Sequence, residues 1–263
     1  MDSDDAATTD RPRVVVSVTS TPDGRVALNR SHVLMDDEAS SAWQSIHPPS
    51  AGEVEAARES ELARLYHPEV VLEGSGTFVP DSAGPLEDLP PVDDESVDLY
   101  TDFLPADVDV SAPLQRWFAV VDGRGRVRWK QTGGGGMDLL VLVCRSTPRE
   151  YLAYLRRSEI PYLVAGDHRV DLLAMLRRMA DRLGVSCVVS RAGGGLNGAL
   201  LRAGLIDEVQ VILLPALIGG LGTPTSFDGP PLLDGELPTP LRLLTVQTTA
   251  DGVVWLRYEV ERV

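Results

Sequence analysis

The sequence predicts an α/β fold with a central, mostly parallel sheet, flanking helices and a C-terminal antiparallel hairpin. Short apolar runs alternate with amphipathic stretches along most of the 263 residues, and strands that alternate with helices form parallel sheets covered on both faces. Apolar residues make up 43% and charged residues 24% of the chain, which is ordinary globular composition. Near the C-terminus, two strand-like runs flank the turn residues 250–252, as in a hairpin.

The first third of the chain predicts two strands and one helix. The run RVVVSVT from Arg13 reads as a buried strand that ends at the turn 21–24. Residues 51–67 have helical apolar spacing, and Pro68 ends that helix. The short apolar strand 69–72 runs directly into a glycine-rich turn. Residues 1–11 are predicted to be a disordered acidic tail, and 12–263 a single domain.

The remaining elements alternate regularly after a long acidic segment. Strands are predicted at 116–122, 137–144, 161–166, 185–190 and 209–215, helices at 148–157, 170–183 and 196–203, a flexible connector at 133–136, and the hairpin at 241–249 and 253–260.

The net charge of −15 is concentrated in two segments. Fourteen carboxylates, which account for all but one of these charges, lie in the tail and in an insert at 81–112 that is rich in proline and has no Lys or Arg before Asp109. We expect the insert to be a long loop with little regular structure. The nearly neutral remainder argues against nucleic acid and anionic membranes as partners. The acids are Asp2, Asp4, Asp5, Asp10, Asp81, Glu87, Asp88, Asp93, Asp94, Glu95, Asp98, Asp102, Asp107 and Asp109.

The sequence shows no sign of a membrane span, a signal peptide or a metal site. No apolar run approaches the roughly 20 residues of a membrane-spanning helix, and the polar, acidic N-terminus has no signal-peptide pattern. A cytoplasmic location is therefore expected. Cys144 and Cys187 lie in apolar runs and are predicted to be buried thiols, and the four histidines show no ligand spacing, so no metal site is predicted.

Two glycine-rich turns follow apolar strands: Gly74-Ser75-Gly76-Thr77 and Gly193-Gly194-Gly195-Leu196. Glycine lets backbone N–H groups approach a phosphate closely, and a helix N-terminus adds a favourable dipole. Neither turn is a G-x-G-x-x-G fingerprint or a Walker P-loop. Each alone is also compatible with a tight strand–helix turn, but two in one α/β chain favour a dinucleotide.

Four sequence blocks resemble the reductase domain of riboflavin biosynthesis, the C-terminal half of the bifunctional bacterial pyrimidine deaminase/reductase, which has a dihydrofolate reductase-like fold. The resemblance covers nearly all of 12–260 outside the insert. The blocks are RPRVVVSVTSTPDGRVA, VVLEGSGTFVPD, LQRWFAVVDGRGRV and RAGGGLNGALLRAGLIDEVQVILLPALIGG.

The resemblance implies NADPH as the cofactor and a homodimer, for which VQVILLP and VVWLRYEV would supply apolar surface. It implies a cofactor cradle formed by Gly74, Gly76 and Thr77 on one side and by Gly193, Gly194, Gly195 and Leu196 on the other. The run Arg145-Ser146-Thr147 would suit the cofactor 2′-phosphate. It would equally suit a helix start, with Ser146 or Thr147 as the N-cap and Pro148 at N1.

On the substrate side, the resemblance implies Asp23 as a catalytic and substrate-binding residue. Simple turn chemistry explains Asp23-Gly24 as well, and a flexible connector is the alternative for the glycine loop at 219–224. The implied substrate-binding residues are Ser17, Thr19, Asp23, Gly219, Gly220, Gly222 and Thr223.

Three departures from the family bear on the substrate. Ser17 stands where the bacterial enzymes place a lysine, no basic residue appears between Pro85-Leu86 and Arg116, and Arg191-Ala192 replaces a glutamate. The acidic insert is expected either to be a remote solvated loop or to form a pocket lid. As a lid its carboxylates would repel a phosphate ester, unless a group such as Arg25 or Arg30 holds the phosphate.

The implied function is NADPH-dependent reduction of an aminopyrimidine ribosyl phosphate at the sugar C1′. Two alternatives remain: a diverged reductase acting on a less anionic carbonyl or imine, and a nucleotide-binding relative without turnover. The H-x-E and P-C-x-x-C signatures of a zinc deaminase are absent, so the chain is not expected to be bifunctional.

Overall fold

The computed structural model describes residues 10–30, 37–92, 96–106, 108 and 115–261, and these form one ten-stranded sheet with five α-helices. The strands are β1 Arg13–Ser20, β2 Val70–Gly74, β3 Trp117–Val121, β4 Gly133–Gly134, β5 Met137–Val143, β6 Tyr162–Val164, β7 Cys187–Ser190, β8 Glu208–Leu213, β9 Leu241–Thr248 and β10 Val254–Val260. The helices are α1 Asp37–Gln44, α2 Ala51–Tyr66, α3 Arg149–Arg157, α4 Leu172–Leu183 and α5 Gly194–Arg202, with a 3-10 turn at Ser75–Thr77.

The strand order is β4-β5-β3-β2-β7-β1-β8-β10-β9, and β6 also pairs with β5. The six pairs between β6 and β8 in the spatial order β6-β5-β3-β2-β7-β1-β8 are parallel. Strand β4 pairs antiparallel with β5, and β10 pairs antiparallel with both β8 and β9. This arrangement confirms the predicted fold class. It also explains the continuous apolar runs, because a parallel strand in the middle of the sheet is buried on both faces.

The two faces of the sheet carry different helices. Helices α4 and α5 cover the larger core, in which Val16, Leu72 and Val188 alternate with residues that point to the other face. That other face packs against α2 through Val15, Leu62 and Val189 and against α3 through a second core cluster. The side chain of a polar residue at the end of a parallel strand therefore points either to the face covered by α2 and α3 or to the face covered by α4 and α5. We call these the α2/α3 face and the α4/α5 face.

The insert packs on this second cluster, so of the two alternatives for it the remote solvated loop is wrong. Leu99 is 4% exposed, its carbonyl accepts a 2.7 Å hydrogen bond from the Tyr162 hydroxyl, and Phe103 forms a β-bridge with Tyr162. Asp102 accepts hydrogen bonds from the Val164 N–H and from Arg178. Little regular structure was expected in the insert, and its described part contains no helix or strand; Asp93, Asp94, Glu95, Asp107 and Asp109 lie outside the described residues.

Three local predictions differ from the structure. Helix α1 was not predicted; its acidic first turn, Asp37 and Glu38, suits a helix N-terminus. The connector 133–136 includes β4, in which Gly133 pairs with Asp138. Residues 1–9 of the predicted tail lie outside the described residues, but Arg11 is held by a two-pronged ion pair to Asp207, so the domain begins before residue 12.

Both cysteines are buried and free, as predicted. Within the described ranges, no group of three or more His, Cys, Asp or Glu residues is placed to hold a metal ion. No helix in the part of the chain that the structure describes is long and apolar enough to cross a bilayer.

Candidate functional site

The two glycine-rich turns lie side by side at the carboxyl ends of β2 and β7. These strands are parallel neighbours, with Leu72 level with Ser190. A Cβ atom added to Gly74 would lie 3.9 Å from the Cβ atom of Leu196. Ligands of open α/β sheets bind at the carboxyl ends of the strands. Both turns lie at this edge, where a dinucleotide site is expected.

The second turn begins helix α5, and Gly193 and Gly195 of this turn are exposed. Gly193 occupies the N-cap without a side-chain cap, and the first turn has no acidic residue. A Cβ atom at Gly193 or Gly195 would meet nothing within 4 Å. This open space over uncapped amide groups is the form of a phosphate cradle, so these residues fit the pyrophosphate of a nicotinamide dinucleotide.

Gly194 and Gly198 have a different role, because the segment 225–228 lies against them. A Cβ atom at Gly194 would lie 2.2 Å from the Thr225 carbonyl oxygen, and one at Gly198 would lie 1.6 Å from the Asp228 carbonyl oxygen. Asn197 holds the same segment through a 3.2 Å hydrogen bond to the Ser226 carbonyl. Within the glycine run, Gly194 thus allows the segment 225–228 to pack closely, whereas Gly193 and Gly195 border open space.

The first turn is fixed by Arg126 and Glu73, two residues that the sequence analysis did not single out. The buried Ser75 hydroxyl accepts a 2.7 Å hydrogen bond from Arg126, which also donates to the Pro80 carbonyl. At the other end of the turn, the Thr77 hydroxyl donates a 2.8 Å hydrogen bond to Glu73. Gly76 has no protein atom closer than 3.7 Å to an added Cβ, so the turn stays open on that side.

A cavity of about 540 Å³ continues from the first turn across the ends of β3 and β5. Arg124 and Arg169 line it together with Ser146, and among the described residues neither guanidinium has a carboxylate within ion-pair distance. The full lining is Ser75, Pro85, Val121, Gly123, Arg124, Cys144, Ser146, Pro148, His168, Arg169 and Val170. Two unpaired cations beside a hydroxyl suit a phosphate monoester.

Of the three residues predicted at 145–147, only Ser146 lines the cavity. Arg145 does not line the cavity, and its exposed guanidinium lies 3.8 Å from Asp167. The Thr147 hydroxyl is buried and bonded to the Gly123 carbonyl and the Cys144 N–H. The helix-start interpretation is wrong in detail, because Pro148 holds the N-cap position with no side-chain cap.

Asp23 joins the turn after β1 to the glycine loop at 219–222. Its carboxylate accepts hydrogen bonds from the Thr21 hydroxyl at 2.6 Å and from the Gly219 N–H at 2.7 Å. These two bonds hold the pKa of Asp23 below its ordinary value. Asp23 is therefore ionised at neutral pH and orients the loop rather than holding a proton to donate.

The segments predicted to bind substrate and cofactor meet around Arg30. Its guanidinium donates to the Gly222 carbonyl and lies 3.5 Å from Asp81 and 3.3 Å from Asp228. The glycine loop is held further by Arg25, which donates to the Thr223 carbonyl at 2.6 Å. Gly220 and Gly222 have positive φ angles of 84° and 78° there, which glycine adopts without strain.

Ser17 and Thr19 lie on the α2/α3 face of β1. Ser17 is 2% exposed and its hydroxyl has no hydrogen-bond partner, so it lies inside the sheet rather than at the surface. The Thr19 hydroxyl donates to Glu55 at 3.0 Å and lies 3.4 Å from Arg58. Of the two, Thr19 is the one near the carboxyl end of its strand.

Glu73 was not among the predicted site residues, although it directly precedes the first glycine turn. Burial raises the pKa of its carboxyl group to about 7, against smaller opposing effects of the Thr77 hydrogen bond and of Arg191. The only sequence signal was an acidic residue at the end of an otherwise apolar strand.

Comparisons with known proteins agree on one family. The family model of the RibD C-terminal domain matches residues 12–255. The chain is 40% identical over 88 residues to the 2,5-diamino-6-ribosylamino-4(3H)-pyrimidinone 5′-phosphate reductase of Methanothermobacter thermautotrophicus, a match covering 33% of this chain and 39% of that protein. The reductase of the same name from Archaeoglobus fulgidus is 35% identical over 91 residues, which cover 34% of this chain and 40% of the relative. The matches thus span about two fifths of these curated relatives.

Solved structures share the fold. RibD of Acinetobacter baumannii superposes with a TM-score of 0.57 at 20% identity, covering 97% of this chain and 59% of that one. A pyrimidine reductase-like protein of Corynebacterium diphtheriae superposes with a TM-score of 0.61 at 13% identity, covering 96% and 92%.

Proposed function

Because the chain belongs to the RibD C-terminal domain family, we propose that it is an oxidoreductase that uses NADPH to reduce the ribosyl C1′ of an aminopyrimidine ribosyl phosphate. The observation that carries this proposal is the adjacency of the two glycine turns, with open space over Gly193 and Gly195 and a cation-lined cavity beside them. The curated relatives are named for reduction of such a substrate.

Residues on both sides of the cradle would hold the cofactor. The N–H groups at the start of α5 would bind the pyrophosphate, facing Gly74 and Gly76 across the cleft. When bound, the nicotinamide supplies a hydride. The protein's own contribution is to orient this group, and the N-terminus of α5, which has no side-chain cap, is the positive end that would face the anion.

The cavity beside the first turn is proposed to take the adenosine end of the cofactor. Arg124 and Arg169 would pair with the 2′-phosphate, and Ser146 lies in the same lining. This assignment replaces Arg145, which faces Asp167 outside the cavity. A guanidinium that has no carboxylate partner gives up no existing ion pair when a phosphate binds.

Arg124→Ala and Arg169→Ala are expected to reduce the preference for NADPH over NADH, each by about tenfold or more, because each loses one charge-assisted contact of about 1.5–3 kcal/mol. Arg145→Ala is the matched control and should leave the preference unchanged. Dissociation constants for both cofactors, measured by fluorescence titration, give the ratio. If the preference for NADPH falls only in Arg145→Ala, the 2′-phosphate binds at Arg145 and not at Arg124 and Arg169.

A less anionic substrate is the second candidate, because Arg191 and Arg30 already have carboxylate partners. Arg191 is paired with Glu59, and Arg30 with Asp81 and Asp228, while Ser17 supplies no charge. A substrate phosphate would have to displace one of these pairs. Comparing a phosphorylated substrate with its dephosphorylated form separates the two candidates.

We also propose that the chain forms a homodimer through β9. The runs VQVILLP and VVWLRYEV form β8 and β10, which lie inside the sheet, so they do not present a free edge. Strand β9 does, and it exposes Leu241, Leu243 and Val246 by 45–53%. Sedimentation should show a dimer at micromolar concentration that Leu243→Glu converts to monomer; a stable wild-type monomer would contradict this proposal.

A further inference from the structure

Arg30 spans the gap between the two glycine turns through two carboxylates. Asp81 follows the first turn, and its Oδ1 atom lies 3.7 Å from a Cβ atom added to Gly76. Asp228 lies against the second turn, with its Cγ atom 2.8 Å from a Cβ atom added to Gly194. The Arg30 guanidinium lies 3.5 Å from Asp81 and 3.3 Å from Asp228. One carboxylate therefore separates this cation from each side of the cleft proposed for the pyrophosphate.

The backbone that carries Arg30 is held against the segment that packs on α5. Arg25 forms an antiparallel β-bridge with Thr225. Further along, Arg30 Nε donates a hydrogen bond to the Gly222 carbonyl. The position of the guanidinium beside the start of α5 thus follows from these contacts as well as from its ion pairs.

The two carboxylates around Arg30 are held to different degrees. Asp228 is fixed, because its Oδ1 atom accepts hydrogen bonds from the Thr225 N–H at 3.2 Å and from the Thr225 hydroxyl at 2.8 Å. The Asp81 side chain is 65% exposed, and among the described residues its hydrogen-bond donor is Arg30. Exposed ion pairs contribute little free energy. Asp81 can therefore leave Arg30 at a small cost while Asp228 continues to hold it.

We propose that Arg30 is a cofactor-binding residue, which exchanges Asp81 for the pyrophosphate of NADPH when the cofactor binds. The inference rests on the proposed function. The guanidinium nitrogen that faces Asp81 would donate to a phosphate oxygen, while Asp228 and the Gly222 carbonyl keep the side chain between the two turns.

The charges around the turns explain why a cation is needed there. The first turn of α5 offers backbone N–H groups to an anion but carries no charged side chain. Asp81 and Asp228, which lie beside the two turns, would repel an anionic pyrophosphate. Arg30 offsets this repulsion, and a guanidinium binds phosphate through charge-assisted hydrogen bonds, which are stronger than neutral ones.

The test uses the full chain, with dissociation constants for NADPH and NADH measured by fluorescence titration. Arg30→Gln should weaken the binding of both cofactors about tenfold or more, and to the same extent, because both contain the pyrophosphate. The preference for NADPH therefore stays unchanged, in contrast to the result expected for Arg124→Ala. Arg30→Lys should keep part of the affinity, since an ammonium group also pairs with phosphate as a point charge.

Asp81→Asn should have the opposite effect. Removal of the competing carboxylate frees one side of Arg30, so both cofactors should bind about twofold to fivefold more tightly. The double variant Arg30→Gln/Asp81→Asn has the same local charge as the wild-type protein but no guanidinium. It should still bind both cofactors more weakly than the wild-type protein does, because the contact with the phosphate is lost.

Arg128→Gln and Asp88→Asn are the matched controls. Arg128 and Asp88 also form an exposed ion pair that joins the insert to the rest of the domain. These two variants should leave both dissociation constants unchanged. Chemical denaturation should show that Arg30→Gln loses no more stability than Arg128→Gln, so that its weaker binding is not a consequence of unfolding.

The outcomes separate the two proposals. Unchanged affinity in Arg30→Gln, weaker binding in Asp81→Asn, or wild-type affinity in the double variant would each overturn the role of Arg30 and leave the proposed reductase intact. A wild-type protein that binds neither cofactor would overturn the proposed function, and the role of Arg30 with it.

Discussion

Alanine at Gly194 or Gly198 is expected to destabilise the protein by about 3 kcal/mol or more, whereas alanine at Gly195 is expected to be neutral or stabilising. In the first two variants the new Cβ atom would lie 2.2 Å or 1.6 Å from a backbone carbonyl oxygen of the segment 225–228, so the segment or the helix must move. At Gly195 the space is open, and alanine favours a helix over glycine by about 1 kcal/mol.

Chemical denaturation of the three variants measures these differences. Gly195→Val, which fills the proposed phosphate cradle, serves as the functional counterpart: it should fold normally and bind NADPH about tenfold more weakly or worse. Equal stability of Gly194→Ala and Gly195→Ala would show that the segment 225–228 does not lie against α5 as described.

Leu99→Ala in the insert is expected to cost about 2–4 kcal/mol of folding stability, because Leu99 is 4% exposed and packs against the α3 cluster. Val97→Ala is the matched control; Val97 is 37% exposed and should lose little. Thermal or chemical unfolding of the two variants gives the comparison.

Deletion of residues 87–106 should then leave no stably folded protein, since it would also uncover Tyr162, which bonds to Leu99 and Phe103. A folded deletion variant with improved use of a phosphorylated substrate would instead restore the insert as a repelling lid. Three of the described carboxylates, Asp81, Asp88 and Asp102, are paired with Arg30, Arg128 and Arg178, which weakens their repulsion of a phosphate.

That each glycine turn follows a strand could be predicted from the sequence pattern, and the resemblance to the reductase domain implied that the two turns face each other. The pairing of β2 with β7, which brings them to the same edge, depends on the strand order. The separate roles of Gly194 and Gly195 could not be predicted, since a run of glycines gives no sign of which one another segment touches. That segment is about 30 residues away in the chain, and only the tertiary fold brings it to α5.

The packing of the insert and the cavity proposed for the cofactor were harder to predict, because both depend on the tertiary fold. The prolines and acids of the insert indicate an irregular loop, but the arginines that hold it, such as Arg156 and Arg178, lie on helices predicted independently. Arg124 and Arg169 follow different strands, and only the sheet order places both at one cavity. Arg145 matched a phosphate pattern locally, yet its side chain faces Asp167.

The most direct test of the proposed reductase is the oxidation of NADPH, followed by absorbance, with 2,5-diamino-6-ribosylamino-4(3H)-pyrimidinone 5′-phosphate and with its dephosphorylated form. We expect one NADPH to be consumed for each molecule of ribityl product, with the phosphorylated substrate used more efficiently. Binding of NADPH without its oxidation in the presence of either compound would contradict the proposal.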